Sequence, residues 1–388
     1  MKNNPDQTTP KNPTIERFYA NKLDQLLNPG KVLVIYGPRQ VGKTTLVQNY
    51  LNSYSGKLFS SSGDDLDLKI LLESQKFSRI IPFFQDYDLL FLDEAQRINQ
   101  IGQSLKILVD QLPHLKIIAT GSSSFGLANN IGEPLVGRQN IIRLFPISAI
   151  ELRQQFGGMK IKQDLENLLV FGSYPEVITS SSFKKKTKYL RQLRDSYLLK
   201  DVLELQNIKN SRKIIDLLKL IAFQIGKEVS HQELGVQLGM SKNTVEKYLD
   251  LLEKSFILIN VRGFSRNLRK EITKSSRYYF YDTGVRNVII GNLNLASNRD
   301  DLPQLWENYL FLERMKRHAY LEKDVSYYFW RTYQQQEIDL VEENKGELNA
   351  YEFKWGSKNA TAPMTWKKSY PKATFNTINQ TNFLEFVS

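Results

Sequence analysis

The sequence predicts an α/β chain in three parts: a parallel sheet flanked by helices, a helical middle, and a small closing α/β unit. Three observations predict it. In "KVLVIYGPRQVGKTTLVQNYL" an apolar strand runs through a glycine-bearing loop into a helix. In "HQELGVQLGMSKNTVEKYLDLLEKSFIL" two short amphipathic helices meet at a glycine. In "EIDLVEENKGELNAYEFKW" two alternating strands surround a polar turn. At 388 residues the chain exceeds one small core and suits two or three domains. The expected division is a disordered lead-in over 1–14, a nucleotide-binding core over 15–160, a helical middle over 161–290 and a closing domain over 291–388.

Composition narrows the class. Hydrophobic content of 41% with 24% charged residues reads as globular. No apolar run approaches the ~18 residues of a membrane-spanning helix, and "MKNNPDQTTPKNPT" lacks a signal peptide's apolar core. There is no cysteine, so disulfides, thiolate zinc sites and cysteine nucleophiles are excluded. The cytoplasm is the expected compartment and no membrane partner is expected. Lys plus Arg number 53 against 41 Asp plus Glu, a net charge of +12 that favours a polyanionic partner. Charge alone decides nothing without a site.

The first part reads from strand Val32 to Tyr36 into G-x-x-x-x-G-K-[ST], the P-loop pattern. Glycines let the backbone wrap closely, so successive N–H groups can point at phosphate oxygens, and the helix N-terminus adds its dipole. The expected nucleotide-binding residues are Gly37, Pro38, Arg39, Gln40, Val41, Gly42, Lys43, Thr44 and Thr45. Lys43 is placed to neutralise the β- and γ-phosphates and Thr44 to ligate Mg²⁺. "DLLFLDEAQRI" then supplies a second carboxylate at a strand end: Asp93 for the Mg²⁺ shell, Glu94 to orient or deprotonate the attacking water. "LKIIATGSSS" ends in hydroxyls, where Ser122 or Ser123 could sense the γ-phosphate, or simply end a strand. Arg138, before the strand "QNIIRL", could reach transition-state charge or lie at the surface, and Arg143 is the weaker candidate.

The stretches "YGPRQVGKTTL", "FLDEAQRI", "ATGSSS", "VGRQNIIRLFPIS" and "FGSYPEVI" resemble, in that order, the prokaryotic AAA-type ATPases with a C-terminal domain of unknown function (DUF4143-like). The resemblance implies a central parallel sheet, ATP as nucleotide and Mg²⁺ as cofactor. It also implies that "GSYPE", Gly172 to Glu176, is a characteristic structural loop. "FYDTGVRN" extends the likeness along the chain.

The middle turns helical and basic at "KKKTKYLRQLRDSYLLKDVLEL", where Lys184, Lys188 and Arg191 make one positive helix face, either simply solvated or set against phosphate. Farther on, Leu234 and Leu238 lie on a helix that stops at Gly239. Ser241 then caps a second helix with an apolar stripe of Val245, Tyr248, Leu249 and Leu252. This is helix-turn-helix spacing, and two strands around a polar loop would add the wing of a winged helix. Arg262, Arg266, Arg269, Lys270, Lys274 and Arg277 cluster there against one acid, Glu271, a charge pattern suited to nucleic-acid phosphates, DNA favoured. Similar winged helices also serve only as lids or protein contacts.

In the tail, alternation puts Glu352 and Lys354 on one face and Tyr351, Phe353 and Trp355 on the other. With a two-residue turn around Asn344 and Lys345, Asp339 falls opposite Ala350 and Glu337 opposite Glu352. Opposed carboxylates are destabilising, and a hard cation such as Mg²⁺ between them would remove the penalty. Asp339 and Glu352 are therefore candidate metal ligands. Lys354 could steady charge, and Glu307, on the helix "LWENYLFLERMKR", could complete the set. A helical Glu, an Asp, and Glu-x-Lys on the next strand resemble the PD-(D/E)xK nuclease superfamily. The resemblance implies a restriction-endonuclease-like fold, although the motif's proline is absent before Asp339. The expected function is ATP hydrolysis coupled to nucleic acid, with the tail either an ATP-regulated nuclease or a silent gripping module. Oligomeric state stays open, and with it whether Arg138 acts in its own subunit or in a neighbour's.

Overall fold

Five strands form the first sheet in the order β2-β3-β4-β1-β5, all parallel. They are β1 (Val32–Tyr36), β2 (Leu58–Ser62), β3 (Leu89–Asp93), β4 (Lys116–Gly121) and β5 (Gln139–Arg143) in this computed structural model. The structure describes residues 15–122, 134–195, 211–265 and 276–388. The expected lead-in, Ser123, and the basic residues Arg266, Arg269, Lys270 and Lys274 lie outside the described residues.

Strand β1 is apolar from Val32 to Ile35 because it is covered on both faces, as parallel strands are. Val32 and Val34 pack in one cluster with Leu90, Leu92 and Ile117, while Leu33 and Ile35 pack in another with Phe91 and Ile118. The register sets Tyr36 beside Gly121 on one side and Arg143 on the other. The carboxyl ends of three strands therefore meet where the loop to helix Lys43–Leu51 begins, the edge at which open parallel sheets bind ligands.

The second sheet has seven strands in the order β12-β11-β10-β9-β7-β8-β6. They are β6 (Glu228–Val229), β7 (Leu258–Gly263), β8 (Ser276–Phe280), β9 (Ser326–Arg331), β10 (Glu337–Asn344), β11 (Glu347–Phe353) and β12 (Thr374–Ile378). Strand β7 pairs in parallel with β9 through Arg262 opposite Tyr328 and Gly263 opposite Phe329. The boundary expected at 290/291 therefore does not separate two sheets. The middle and the tail share one, and helix Leu302–Tyr320 packs on it through Trp306, Leu310 and Phe311.

The hairpin turn differs from expectation by one position. Lys345 and Gly346 both have positive φ (50° and 84°), the pattern of a two-residue I′ turn. Val341, not Asp339, consequently lies opposite Ala350, and Leu340 lies opposite Tyr351. A bulge against β9 between Ile338 and Val341 re-aims the chain at Asp339, and such irregularities serve to redirect side chains.

Candidate functional site

The phosphate loop is built by close approach. A Cβ on Gly37 would sit 2.0 Å from the Leu144 carbonyl oxygen, so only glycine lets the loop leave β1 alongside the chain after β5. Lys43 is buried, and its Nζ donates to the carbonyls of Gly37 and Pro38, both at 2.9 Å, which holds the amine inside the loop. Thr44 Oγ1 donates to Asp93 Oδ2 at 2.8 Å, joining the helix start to the end of β3. The other Asp93 oxygen accepts from Thr120 Oγ1, which in turn accepts from the Glu94 backbone N–H at 3.1 Å. A hydroxyl and a carboxylate thus stand together beside a lysine, the donor set that a magnesium-bound triphosphate requires.

Glu94 follows with φ of 49°, a left-handed turn that carries it off the strand line. Its carboxylate accepts from Gln96 Nε2, which also donates to Ser122 Oγ at 3.1 Å. Ser122 is buried and is linked to Glu94 through Gln96. Sequence reading missed Gln96 and Thr120, although both lie inside the stretches "DEAQR" and "ATGSSS".

Arg138 stands elsewhere. Its carbonyl accepts from Val32 N–H at 2.9 Å, at the amino end of β1, and its Nε pairs with Asp110 at 2.7 Å. The strand separates it from the loop by five residues, roughly 16 Å at 3.3 Å each, so within one chain it does not reach the phosphates. Arg143 stands at the loop's end of the sheet, paired in register with Tyr36, the residue before Gly37. It donates to the hydroxyls of Tyr36 at 3.2 Å and Tyr281 at 3.5 Å, and lies over the rings of Tyr36, Phe145 and Phe256. Burial works against its charge, but the two phenols outweigh it and raise its pKa. Because Phe256 and Tyr281 belong to the middle of the chain, Arg143 joins the loop's strand to that region.

The tail holds a second cluster. Asp339 Oδ2 accepts from Phe353 N–H at 2.8 Å, and Lys354 Nζ donates to Glu352 at 2.8 Å. From β8, Arg277 inserts a buried guanidinium 3.6 Å from Glu307, 2.9 Å from Glu337 and 3.9 Å from Asp339, with its plane over Phe329. Tyr279 donates to Glu307 at 2.5 Å. Burial first, then repulsion from Glu307 and Glu352, holds Asp339 well above the usual carboxylate range. Burial pushes Glu307 up to about 7 against the pull of Arg277 and Tyr279.

Arg277 and Lys354 offset part of the cluster's charge, while Glu352 Oε2 is buried with no hydrogen-bond partner among the described residues. Among the described residues no three carboxylate or imidazole side chains converge to hold a metal ion. The expected Mg²⁺ ligands Asp339 and Glu352 interact with each other, Asp339 facing the guanidinium of Arg277 at 3.9 Å and Glu352 the amine of Lys354 at 2.8 Å; Arg277 was counted from sequence among the wing's phosphate contacts. No helix among the described residues is long and apolar enough to cross a membrane.

These features fit a P-loop ATPase, and comparison with known proteins supports that class. Residues 29–153 match the family model of an AAA domain, a class that implies ATP and typically Mg²⁺. Residues 162–296 and 303–377 match two domains of unknown function, DUF8612 and DUF4143. The chain is similar to an uncharacterized protein of Mycobacterium tuberculosis, 26% identical over 341 residues covering 87% of this chain and 73% of that one. It is also similar to an uncharacterized protein of Methanocaldococcus jannaschii, 24% identical over 339 residues covering 82% and 74%. A solved Signal Transduction ATPase with Numerous Domains (STAND) protein with a tetratricopeptide repeat sensor from Pyrococcus horikoshii aligns at 13% identity and a TM-score of 0.27. That alignment covers 76% of this chain and 45% of the other, and is too distant to carry an argument.

Proposed function

We propose that the chain is a nucleotide-switched ATPase that grips nucleic acid, with a tail that keeps a nuclease-like arrangement but does not cut. The observation that carries the ATPase is the Thr44–Asp93 hydrogen bond at 2.8 Å beside Lys43. Bound MgATP would supply the γ-phosphoryl group and its neutralising cation. Lys43 and the loop N–H groups would bind the phosphates, Thr44 and Asp93 would hold the metal, and Glu94, steadied by Gln96, would take the proton of the attacking water. Arg143 gives the switch a physical route, since movement of β5 at the loop pulls on Phe256 and Tyr281.

The order of the middle elements supports a winged-helix reading. Helix Ser211–Phe223, β6, helix His231–Leu238, helix Lys242–Lys254, β7 and β8 follow one another, with β8 between β6 and β7. Silence of the tail rests on Arg277. A divalent ion would have to compete with a guanidinium bonded to Glu337 at 2.9 Å and 3.9 Å from Asp339. The rival reading, a cutting tail, is favoured by Glu352 and Lys354 lying side by side next to Asp339.

The test pairs two assays on the full chain. ATP hydrolysis is expected from wild type and is expected to fall roughly a hundredfold or more in Lys43→Ala, the scale of losing one transition-state donor. Plasmid and single-stranded DNA are expected to survive Mg²⁺ or Mn²⁺, with and without ATP. Cleavage that disappears in Asp339→Ala would overturn the silent tail. A folded wild type that hydrolyses no ATP would overturn the switch.

A further inference from the structure

The two helical faces available to a polyanion differ sharply in charge. Helix Lys242–Lys254, in the recognition position, exposes Lys242, Lys247, Glu246 and Asp250. Its cations are largely met locally, Lys242 by Glu246 at 3.5 Å and Lys254 by Asp250 at 2.8 Å, and Glu246 also faces His231 at 3.2 Å. The groove of about 890 Å³ beside it is lined by Glu246, Asp250 and Glu253 as well as by Arg262. Glu246 and Asp250 in that groove oppose a phosphate backbone.

Helix Phe183–Leu193 has the opposite character. From residue 184 to 194 there are six basic residues and no acid. Lys184, Lys185, Lys188 and Arg191 are exposed, and none makes an ion pair within 4.0 Å among the described residues. Asp195, just beyond the helix, pairs with Arg194 at 2.6 Å and is also felt by Arg191. The apolar side chains Leu190 and Leu193 face the core, and the outer side is cationic with Phe183 exposed at its start. A notch of about 500 Å³ opens along the helix, lined by Thr187, Arg191, Arg194, Val288 and Gly291. Thr187 lines it with its Oγ1 closed to solvent, and the exposed guanidinium of Arg191 is the fork-shaped donor for one phosphate. From Lys184 to Arg191 the helix rises about 10 Å, roughly three steps of a nucleic-acid strand at 3.4 Å.

We propose that helix Phe183–Leu193, rather than helix Lys242–Lys254, takes the nucleic-acid backbone, with one phosphate on Arg191 at the mouth of the notch and neighbouring ones on Lys188 and Lys184. The inference rests on the nucleic-acid reading above and names its surface.

The test is fluorescence anisotropy of the full chain with a short labelled DNA duplex and the matching single strand, across a salt series. Lys184→Glu/Lys188→Glu/Arg191→Glu is compared with Lys242→Glu/Lys247→Glu, each checked by circular dichroism and ATP hydrolysis. The first variant is expected to lose roughly tenfold or more in affinity and to lower the salt slope by about three. The second is expected to stay within about threefold of wild type, a phosphate-free face contributing little to the salt-dependent term. The reverse pattern, with wild type binding, would overturn this surface and leave the nucleic-acid reading standing. Absence of binding by wild type to either nucleic acid would overturn both, whether or not anionic vesicles bind instead.

Discussion

Arg17 belongs to no motif, yet its guanidinium reaches three groups around the phosphate loop. Nε pairs with Glu151 at 2.8 Å, one Nη donates to the Val41 carbonyl within the loop, and the other to the Phe145 carbonyl at 2.7 Å. Glu151 is fully buried and also closes a capping box with Ser148. Removing one partner of such a pair strands a buried charge, which costs about 3–5 kcal/mol. Arg17→Met is therefore expected to lower the unfolding free energy by that order and to weaken ATP binding, whereas Arg17→Met/Glu151→Met recovers much of the stability. Urea unfolding and nucleotide titration measure the two effects; a single variant as stable as wild type would remove Arg17 from this role. The loop itself was legible in the sequence, because its residue types and spacing are dictated by phosphate. Arg17 was not, because a distant side chain that reaches a carbonyl leaves no spacing signal.

At the scale of elements, the motif "GSYPE" acquires a reason. Gly172 has φ of 73°, and a Cβ there would lie 2.0 Å from Asp282 Oδ1, whose carboxylate accepts from the Ser173 and Val285 N–H groups. Asn287 donates to the carbonyls of Leu169 and Val170, and Thr283 to that of Leu168. The stretches "FGSYPE" and "YDTGVRN" thus close on each other and hold helix Leu165–Phe171 against helix Thr283–Ile289. Lys316 extends the joint to the tail, donating to Ser173 Oγ at 3.2 Å and Glu313 at 2.7 Å. Gly172→Ala combines a disfavoured φ with overlap against a buried carboxylate and is expected to cost about 3 kcal/mol or more. Thermal unfolding reads this, and a melting temperature near wild type would refute the joint.

At the scale of the molecule, stability should depend on pH through the groove beside helix Lys242–Lys254. Burial, and secondarily Asp250, pushes Glu253 up to about 7 from its ordinary 4.5, against Asn260, Arg262 and Lys254. The folded chain therefore binds this proton more tightly than the unfolded one. The stability it contributes is complete below about pH 4.5 and is lost as pH rises through 7. Glu253→Gln removes that slope, so the stability of wild type relative to the variant should fall across this window, by at most about 3 kcal/mol. Denaturant unfolding at a series of pH values measures the difference, and a flat difference would refute the assignment. Middle and tail also act at this scale as one body, since β7 and β9 pair in a common sheet. Sequence reading divided them at 290 because parallel pairing between distant strands leaves no local mark.

What the sequence determined by itself is whatever local pattern dictates. The apolar strand entering the phosphate loop, the acidic end of β3, the paired helices at Gly239 and the alternation of β10 and β11 all follow from side-chain period, turn chemistry and ligand geometry. What only the tertiary structure decided is which charges meet. Arg138 and Arg143 lie five residues apart on one extended segment, yet one pairs with Asp110 at the sheet's far edge and the other joins the phosphate loop to Phe256 and Tyr281. Arg277 reads in sequence as part of a basic wing and ends among Glu307, Glu337 and Asp339, where a metal was expected. Electrostatic partners are chosen by distance in space, and a linear sequence encodes distance only over the few residues that one turn or one strand spans.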